Sequence, residues 1–167
     1  MKLKLEFIAE RCSACGACVI ACMDQNDIDT DAGDAPLRIT GSIEDENKFA
    51  YISISCFHCD GAPCIVACPS GCLYKDEETG LTLFDTTNCI ACHSCAMACP
   101  FGAPTFCSDG KMRKCDGCIT RLRCGLEPSC VRNCPTEALR CYDENEALDA
   151  QRARSLTRIA KRILQEH

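Results

Sequence analysis

Sixteen of the 20 cysteines in this 167-residue chain fall into four short runs, and that grouping constrains the fold more than any other feature. The first run, "CSACGACVIACMD", places Cys12, Cys15, Cys18 and Cys22 at the spacing C-x2-C-x2-C-x3-C. The second, "CFHCDGAPCIVACP", supplies Cys56, Cys59, Cys64 and Cys68 followed by Pro69, with the middle gap widened to four residues. The third, "CIACHSCAMACP", returns to the first spacing with Cys89, Cys92, Cys95 and Cys99, then Pro100. In the fourth, Cys115 and Cys118 are followed after eleven residues by Cys130, then by Cys134 and Pro135. The third run is the bacterial iron–sulfur pattern without exception: three cysteines wrap one cluster, and a fourth, before proline, serves another. The first run departs from that pattern where Met23 stands in place of the proline.

Two other uses of cysteine compete with iron. Disulfide frameworks need no such regularity. The start "MKLKLEFIAERC" also has neither an apolar signal core nor a twin-arginine pair to carry the chain to an oxidising compartment. A cytoplasmic setting is therefore expected. Zinc takes paired C-x2-C knuckles too, but a third cysteine two residues on and a fourth before proline are not the zinc pattern. Sixteen cysteines in four sets fit four [4Fe-4S] clusters. Composition points the same way. The hydrophobic share of 47% includes the cysteines; without them it is about 35%, thin for a self-supporting core. Aromatics are 5% and tryptophan is absent, so inorganic cross-links are expected to replace part of the hydrophobic stabilisation.

Charge and hydropathy narrow the partners. A net charge of −6 argues against nucleic acid, and no apolar run approaches the roughly 20 residues of a membrane span. Four clusters at about −2 each, thiolates included, would bring the folded charge to roughly −14. Lysines and arginines near the runs then read as compensating charge.

The spacing has a local explanation. After the loop of three cysteines, "VIAC" or "AMAC" starts a short helix. The cysteine four positions on lies about a turn away and faces the opposite end of that helix from the loop, so it reaches a second cluster. Proline then turns the chain out. Between the runs, "PLRITGSI" (Pro36 to Ile43) and "KFAYISIS" (Lys48 to Ser55) read as a β-hairpin across the polar turn "EDEN". "GCLYKDEETGLTLFD" and "EALRCYDEN" look similar, with Leu81, Leu83, Leu139 and Tyr142 as wall residues. The expected class is α+β, with short helices and β-hairpins.

The order of the four runs, with "CFHCDGAPC", "CIACHSCAMACPFGAP" and "KCDGCITRLRCGLEPSCVRNCPTEAL", resembles the four-cluster iron–sulfur subunit of the dimethyl sulfoxide reductase and formate dehydrogenase superfamily. The likeness runs from about Ala9 to Asp143. It implies two intertwined bacterial-ferredoxin-like modules: residues 1–35 with 107–143 from the first and fourth runs, and 36–106 from the second and third. A C-terminal tail, 144–167, follows. The resemblance implies four ligand sets: Cys12, Cys15, Cys18 and Cys134; Cys56, Cys59, Cys64 and Cys99; Cys89, Cys92, Cys95 and Cys68; and Cys115, Cys118, Cys130 and Cys22. Cys92 and Cys95, which some relatives replace, are intact, so four [4Fe-4S] centres are expected.

The resemblance also implies a role as a wire between a molybdenum or tungsten pterin catalytic subunit, formate dehydrogenase among the candidates, and a second redox protein. Such subunits are not enzymes by themselves, and some are exported folded beside a signal-bearing partner. In agreement, the sequence has no Ser-His-Asp set, phosphate loop or dinucleotide glycine fingerprint. The alternative is a free-standing polyferredoxin that shuttles electrons among several enzymes. A different class, a zinc-stabilised interaction module, would be colourless and free of acid-labile sulfide.

The remaining residues read as scaffold or surface. Cys72 and Cys141 sit in strand-like positions and are expected to pack as small hydrophobes. Cys107 is the third cysteine outside the runs, and Cys124, beside Arg121 and Arg123, is the strongest candidate for a reactive thiol. His58 and His93 lie within cluster loops, where they face solvent or tune the field near a cluster. Lys75, Lys111, Arg113 and Lys114 read either as charge compensation and partner docking or as solvated surface. In the tail, Leu148, Leu156, Ile159, Ile163 and Leu164 recur at helical spacing, with Arg152, Arg154, Arg158, Lys161 and Arg162 making the rest basic. The reading is an amphipathic helix that packs on its own chain, docks on a partner or mediates self-assembly, or lies on a membrane surface.

Overall fold

The computed structural model describes residues 2–45, 48–149, 152–153 and 155–156. The chain runs β1 (Leu3–Phe7), a 3-10 turn (Ala9–Arg11), α1 (Ala17–Gln25), β2 (Ile39–Asp45), β3 (Lys48–Ile54), α2 (Pro63–Val66), β4 (Leu73–Lys75), β5 (Thr82–Phe84), α3 (Ser94–Ala98), β6 (Thr105–Phe106), β7 (Met112–Arg113), α4 (Ile119–Arg123), α5 (Ser129–Arg132) and β8 (Leu139–Asp143). The eight strands form four two-stranded antiparallel sheets: β1–β8, β2–β3, β4–β5 and β6–β7. This is the expected α+β arrangement of short helices and hairpins.

One pairing ties the chain's ends together. In β1–β8, Leu3 faces Asp143 and Phe7 faces Leu139, and the ladder extends outward as Glu144 N–H donates to the Lys2 carbonyl at 2.8 Å. "EALRCYDEN" is thus a strand, as its alternation predicts, but it pairs across the chain rather than with a neighbour. Its partner "LKLEF" is a strand that the sequence reading missed. The β2–β3 hairpin forms where expected, with Ile39 opposite Ile54 and its strands running on to Asp45 and Lys48. Residues 46 and 47 of the expected "EDEN" turn lie outside the described residues. The β6–β7 hairpin was also missed, because each strand has only two residues and leaves no periodicity to read.

The apolar core is divided into small clusters, each built partly from cysteines. Leu73 and Met112 pack with Cys64 and Cys95; Leu3, Leu81 and Leu83 pack with Cys141; Leu139 packs with Cys18 and Cys130. Leu81, Leu83 and Leu139 are the buried wall residues that the alternation predicts, whereas Tyr142 is only half-buried. A core of isolated patches suits a chain with little apolar side chain besides cysteine.

Residues 144–149 continue from β8 as a helix, and 152–153 and 155–156 are helical. Leu148 and Leu156 are both exposed, and Arg152 pairs with Asp149 at 3.4 Å. The other residues of the expected stripe and basic face, Ile159, Ile163, Leu164, Arg154, Arg158, Lys161 and Arg162, lie outside the described residues. Among the described residues, no helix is long and apolar enough to cross a membrane.

Candidate metal centres

All 20 cysteines lie within the described residues as free thiols. Their runs repeat one backbone device. Two residues after the leading cysteine of each run the chain turns left-handed, at Ala14, His58, Ala91 and Gly117 (φ from 49° to 73°). That turn aims an N–H back at the leading sulfur: Ala14 to Cys12, His58 to Cys56 and Gly117 to Cys115, each at 3.4 Å. A side chain with φ > 0 is costly, so the repetition marks a backbone shaped for the sulfur rather than for local comfort.

A second device follows the fourth cysteine. Gly71, Gly102 and Glu137, three residues past Cys68, Cys99 and Cys134, also have positive φ. The next residue's N–H then donates to the sulfur: Cys72 to Cys68 at 3.3 Å, Ala103 to Cys99 at 3.5 Å and Ala138 to Cys134 at 3.2 Å. Proline at the first of these positions ends the helix and permits the turn. Cys22 has no such proline, and α1 runs on through Met23 to Gln25. There the donor four residues on is a side chain: Asn26 Nδ2 donates to Cys22 Sγ at 3.6 Å and to the Cys22 carbonyl at 2.8 Å. The departure from the bacterial pattern is thus compensated by an amide that the sequence reading did not single out.

The cysteines converge across runs. Cys12, Cys15 and Cys18 line one cavity with Cys134; Cys56, Cys59 and Cys64 line a second with Cys99; Cys89, Cys92 and Cys95 line a third with Cys68. Each cavity holds about 280 to 300 Å³ counting the part open to solvent. Cys22 meets Cys115, Cys118 and Cys130 in the interior, where burial first, then Cys115 and Cys130, push its thiol up to about 12, with Arg38 opposing. Burial likewise pushes Cys118 up to about 11. Thiols crowded together out of water resist ionisation, and a positively charged metal core is what would hold such a set as thiolates. Among the described residues, no group of three or more His, Cys, Asp or Glu side chains is arranged to hold a single metal ion.

The surroundings fit a negatively charged group. Among the described residues, two cations are buried with no carboxylate in an ion pair with them: Arg38 at 4% and Lys114 at 1% exposure. Arg38 Nη1 donates to Ser53 Oγ at 2.9 Å and Nη2 to Ser55 Oγ at 2.7 Å, leaving Nε without a partner among the described residues. Lys114 Nζ donates to the carbonyls of Thr82 and Cys115 and stands 5.5 Å over the Phe84 ring. Its charge acts on Cys56, Cys64 and Cys115. A buried unpaired charge costs several kcal/mol, so both positions call for an anion, and the sulfur sets are what they face.

Of the alternatives open for His58 and Lys114, the structure removes the solvent-facing one. His58 does not face solvent: it is buried, with Thr82 N–H donating to Nδ1 at 3.1 Å. Burial, then Lys114 and Lys75, hold its pKa down at about 3. The neutral ring therefore carries its proton on Nε2, which has no partner among the described residues. Nor is Lys114 a solvated lysine. Lys75 is half-buried, its Nζ donating to the His58 and Gly80 carbonyls at 3.0 Å each. Lys111 and Arg113 are also half-buried, while His93 stacks on Phe106 at 3.7 Å.

The cysteines outside the runs separate clearly. Cys72 is buried against the third cavity and shares Ser70 Oγ at 3.2 Å. Cys141 lies in β8, where burial and then Cys130 raise it to about 11. Burial also raises half-buried Cys107, and Cys124 is exposed.

Residues 47–144 match the family of 4Fe-4S dicluster domains. The chain is 39% identical over 141 residues to the probable anaerobic dimethyl sulfoxide reductase chain YnfG of Escherichia coli (strain K12), covering 78% of this chain and 68% of that one. It is 38% identical over 144 residues to the thiosulfate reductase electron transfer subunit PhsB of Salmonella typhi, covering 82% and 74%. It is 31% identical over 156 residues to the nitrate-inducible formate dehydrogenase iron-sulfur subunit of Escherichia coli (strain K12), covering 83% of this chain and 53% of that subunit. With its converging cysteine runs and this match over more than half its length, the chain belongs to the 4Fe-4S dicluster family of iron–sulfur electron-transfer proteins.

Proposed function

We propose that this chain carries four [4Fe-4S] clusters and relays electrons between a molybdenum or tungsten pterin catalytic subunit and a second redox protein. The sets that would hold them are Cys12, Cys15, Cys18 and Cys134; Cys115, Cys118, Cys130 and Cys22; Cys56, Cys59, Cys64 and Cys99; and Cys89, Cys92, Cys95 and Cys68. The observation that carries this reading is the crossing of fourth cysteines, since three cavities each combine three cysteines of one run with the last cysteine of another. On the same reading the chain forms two interlocked modules, 1–35 with 107–143 and 36–106. The β1–β8 pairing and the bond from Ile8 N–H to the Ala138 carbonyl at 2.8 Å support joining the two ends.

Bound there, the clusters would supply reversible one-electron chemistry. The chain's part is to space them, keep water away and bias their charge. On this reading the four sets follow one another in a row, and pairwise proximities support that order. Cys18 acts electrostatically on Cys130, and Cys56 on Cys115. Cys64 lies in α2, with Cys68 just past its end. A row suits a wire, in which electrons enter at one end and leave at the other.

The proposed partner rests on the relatives, which are named as chains or subunits of dimethyl sulfoxide reductase, thiosulfate reductase and formate dehydrogenase. Anaerobic purification of the tagged chain from its native cell tests this. Recovery of a stoichiometric large chain containing molybdenum or tungsten is the expected result. A monomer that reduces several soluble enzymes would favour the free polyferredoxin instead.

A further inference from the structure

We propose that Arg38 raises the reduction potential of the cluster held by Cys22, Cys115, Cys118 and Cys130 above the value that its cysteine set alone would give. The inference rests on the ligand sets proposed above. Arg38 stands just before β2, on a hairpin that contributes no cysteine to that set. It is 4% exposed, and its guanidinium cannot shed its charge. Its two fixed bonds go to the neutral hydroxyls of Ser53 and Ser55, and the described ion pairs give it no carboxylate. A permanent charge left in the interior must be balanced by something. Ser53, which holds the guanidinium, also reaches Cys18, and Cys18 packs against Cys130; the charge acts on Cys22, Cys115 and Cys130.

The serines act as a bracket. They fix both terminal nitrogens of the guanidinium from adjacent inward positions of the β3 strand and its exit, leaving the edge that carries Nε unengaged among the described residues. Ser53 Oγ also lies 3.4 Å from Cys18 Sγ, so a neutral hydroxyl stands between this cation and the neighbouring set. Adding one electron makes a cluster more negative by one charge, and a fixed adjacent cation favours that state without taking up a proton. The effect is therefore strongest at the Cys22 set, weaker at the Cys12 set and at the Cys56 set, whose Cys56 lines a cavity with Arg38, and least at the Cys89 set. An interior stop of the row is thereby made easier to reduce than its ligands alone dictate.

The test is a dithionite titration with redox mediators on anaerobic holoprotein, followed by electron paramagnetic resonance. Iron and sulfide are counted first, so that failure of the four-cluster reading is seen separately. In Arg38→Gln, the reduction equilibrium of one cluster should fall tenfold or more, about 59 mV per tenfold, while the cluster of Cys89, Cys92, Cys95 and Cys68 stays within a factor of two. Arg38→Lys keeps the charge and should hold every cluster within about threefold. Loss from Arg38→Gln of that cluster's irons alone, restored in Arg38→Lys, would also support the proposal. Full iron content with unchanged potentials in Arg38→Gln would overturn it. If Arg38→Gln yields no folded protein, a selective tenfold fall in Arg38→Lys would overturn it, since the charge is still present.

Discussion

Replacing Gly117 by alanine should loosen the Cys115–Cys118 loop more than any other single methyl added to the cluster loops. Gly117 has φ +73°, and a Cβ there would stand 2.7 Å from Leu81 Cδ1 and 3.6 Å from His58 Cε1. Leu81 is 1% exposed and packs against Leu3 and Leu83, so it has little room to retreat. The left-handed backbone costs an alanine about 1–2 kcal/mol, and overpacking adds about 1–3 kcal/mol. Gly16 supplies the control: its φ is +78°, but nothing lies within 4 Å of its added Cβ, so Gly16→Ala should lose only the backbone share. Cluster release makes unfolding irreversible, so the readout is the half-life of the visible cluster absorbance in a fixed concentration of guanidinium. Each 1.4 kcal/mol expressed in that barrier shortens the half-life about tenfold. The expected order is wild type, then Gly16→Ala, then Gly117→Ala. Gly117→Ala with Leu81→Ala should also cost less than the sum of the two singles, because the second change opens the space that the first one fills. Equal half-lives for the two glycine variants, or strict additivity in the double, would refute the packing argument.

Other perturbations separate ligands from their surroundings. Cys22→Ser should damage the cluster of Cys115, Cys118 and Cys130 and leave the Cys12 cluster largely intact; spectroscopic loss confined to the Cys12 cluster would reverse the pairing. Asn26→Ala removes the amide donor at Cys22 and should lower the reduction equilibrium of the same cluster about threefold to tenfold, since hydrogen bonds to sulfur tune potential. Redox titration would reveal an error here as no shift. Cys141→Ala should keep every iron and cost about 1 kcal/mol of packing, which iron analysis and thermal denaturation would check.

The cysteines were legible in the sequence because their chemistry is written in spacing. The runs locate loops, helix starts and chain exits, and alternation locates β2–β3 and the wall residues Leu81, Leu83 and Leu139. What was illegible depends on contacts between distant residues. Nothing local in "LKLEF" announces that it pairs with residues 139–143. Arg38 sits in a strand-like stretch and Lys114 beside a cysteine, and neither neighbourhood reveals burial; both look like surface charges until tertiary packing encloses them. His58 misleads for the same reason, since the N–H that donates to its ring, that of Thr82, is 24 residues away. Asn26 was readable in principle. It stands four residues beyond Cys22, where the other runs use a backbone N–H that their proline corner turns inward. A missing proline is the cue to look for a replacement donor at that position.

The most direct test of the account is an iron and acid-labile sulfide determination on the anaerobically purified chain. Four cubane clusters predict a brown protein with about sixteen irons and about sixteen sulfides per chain. A colourless protein with zinc and no labile sulfide, or a count near eight irons with the crossed sets half empty, would contradict it.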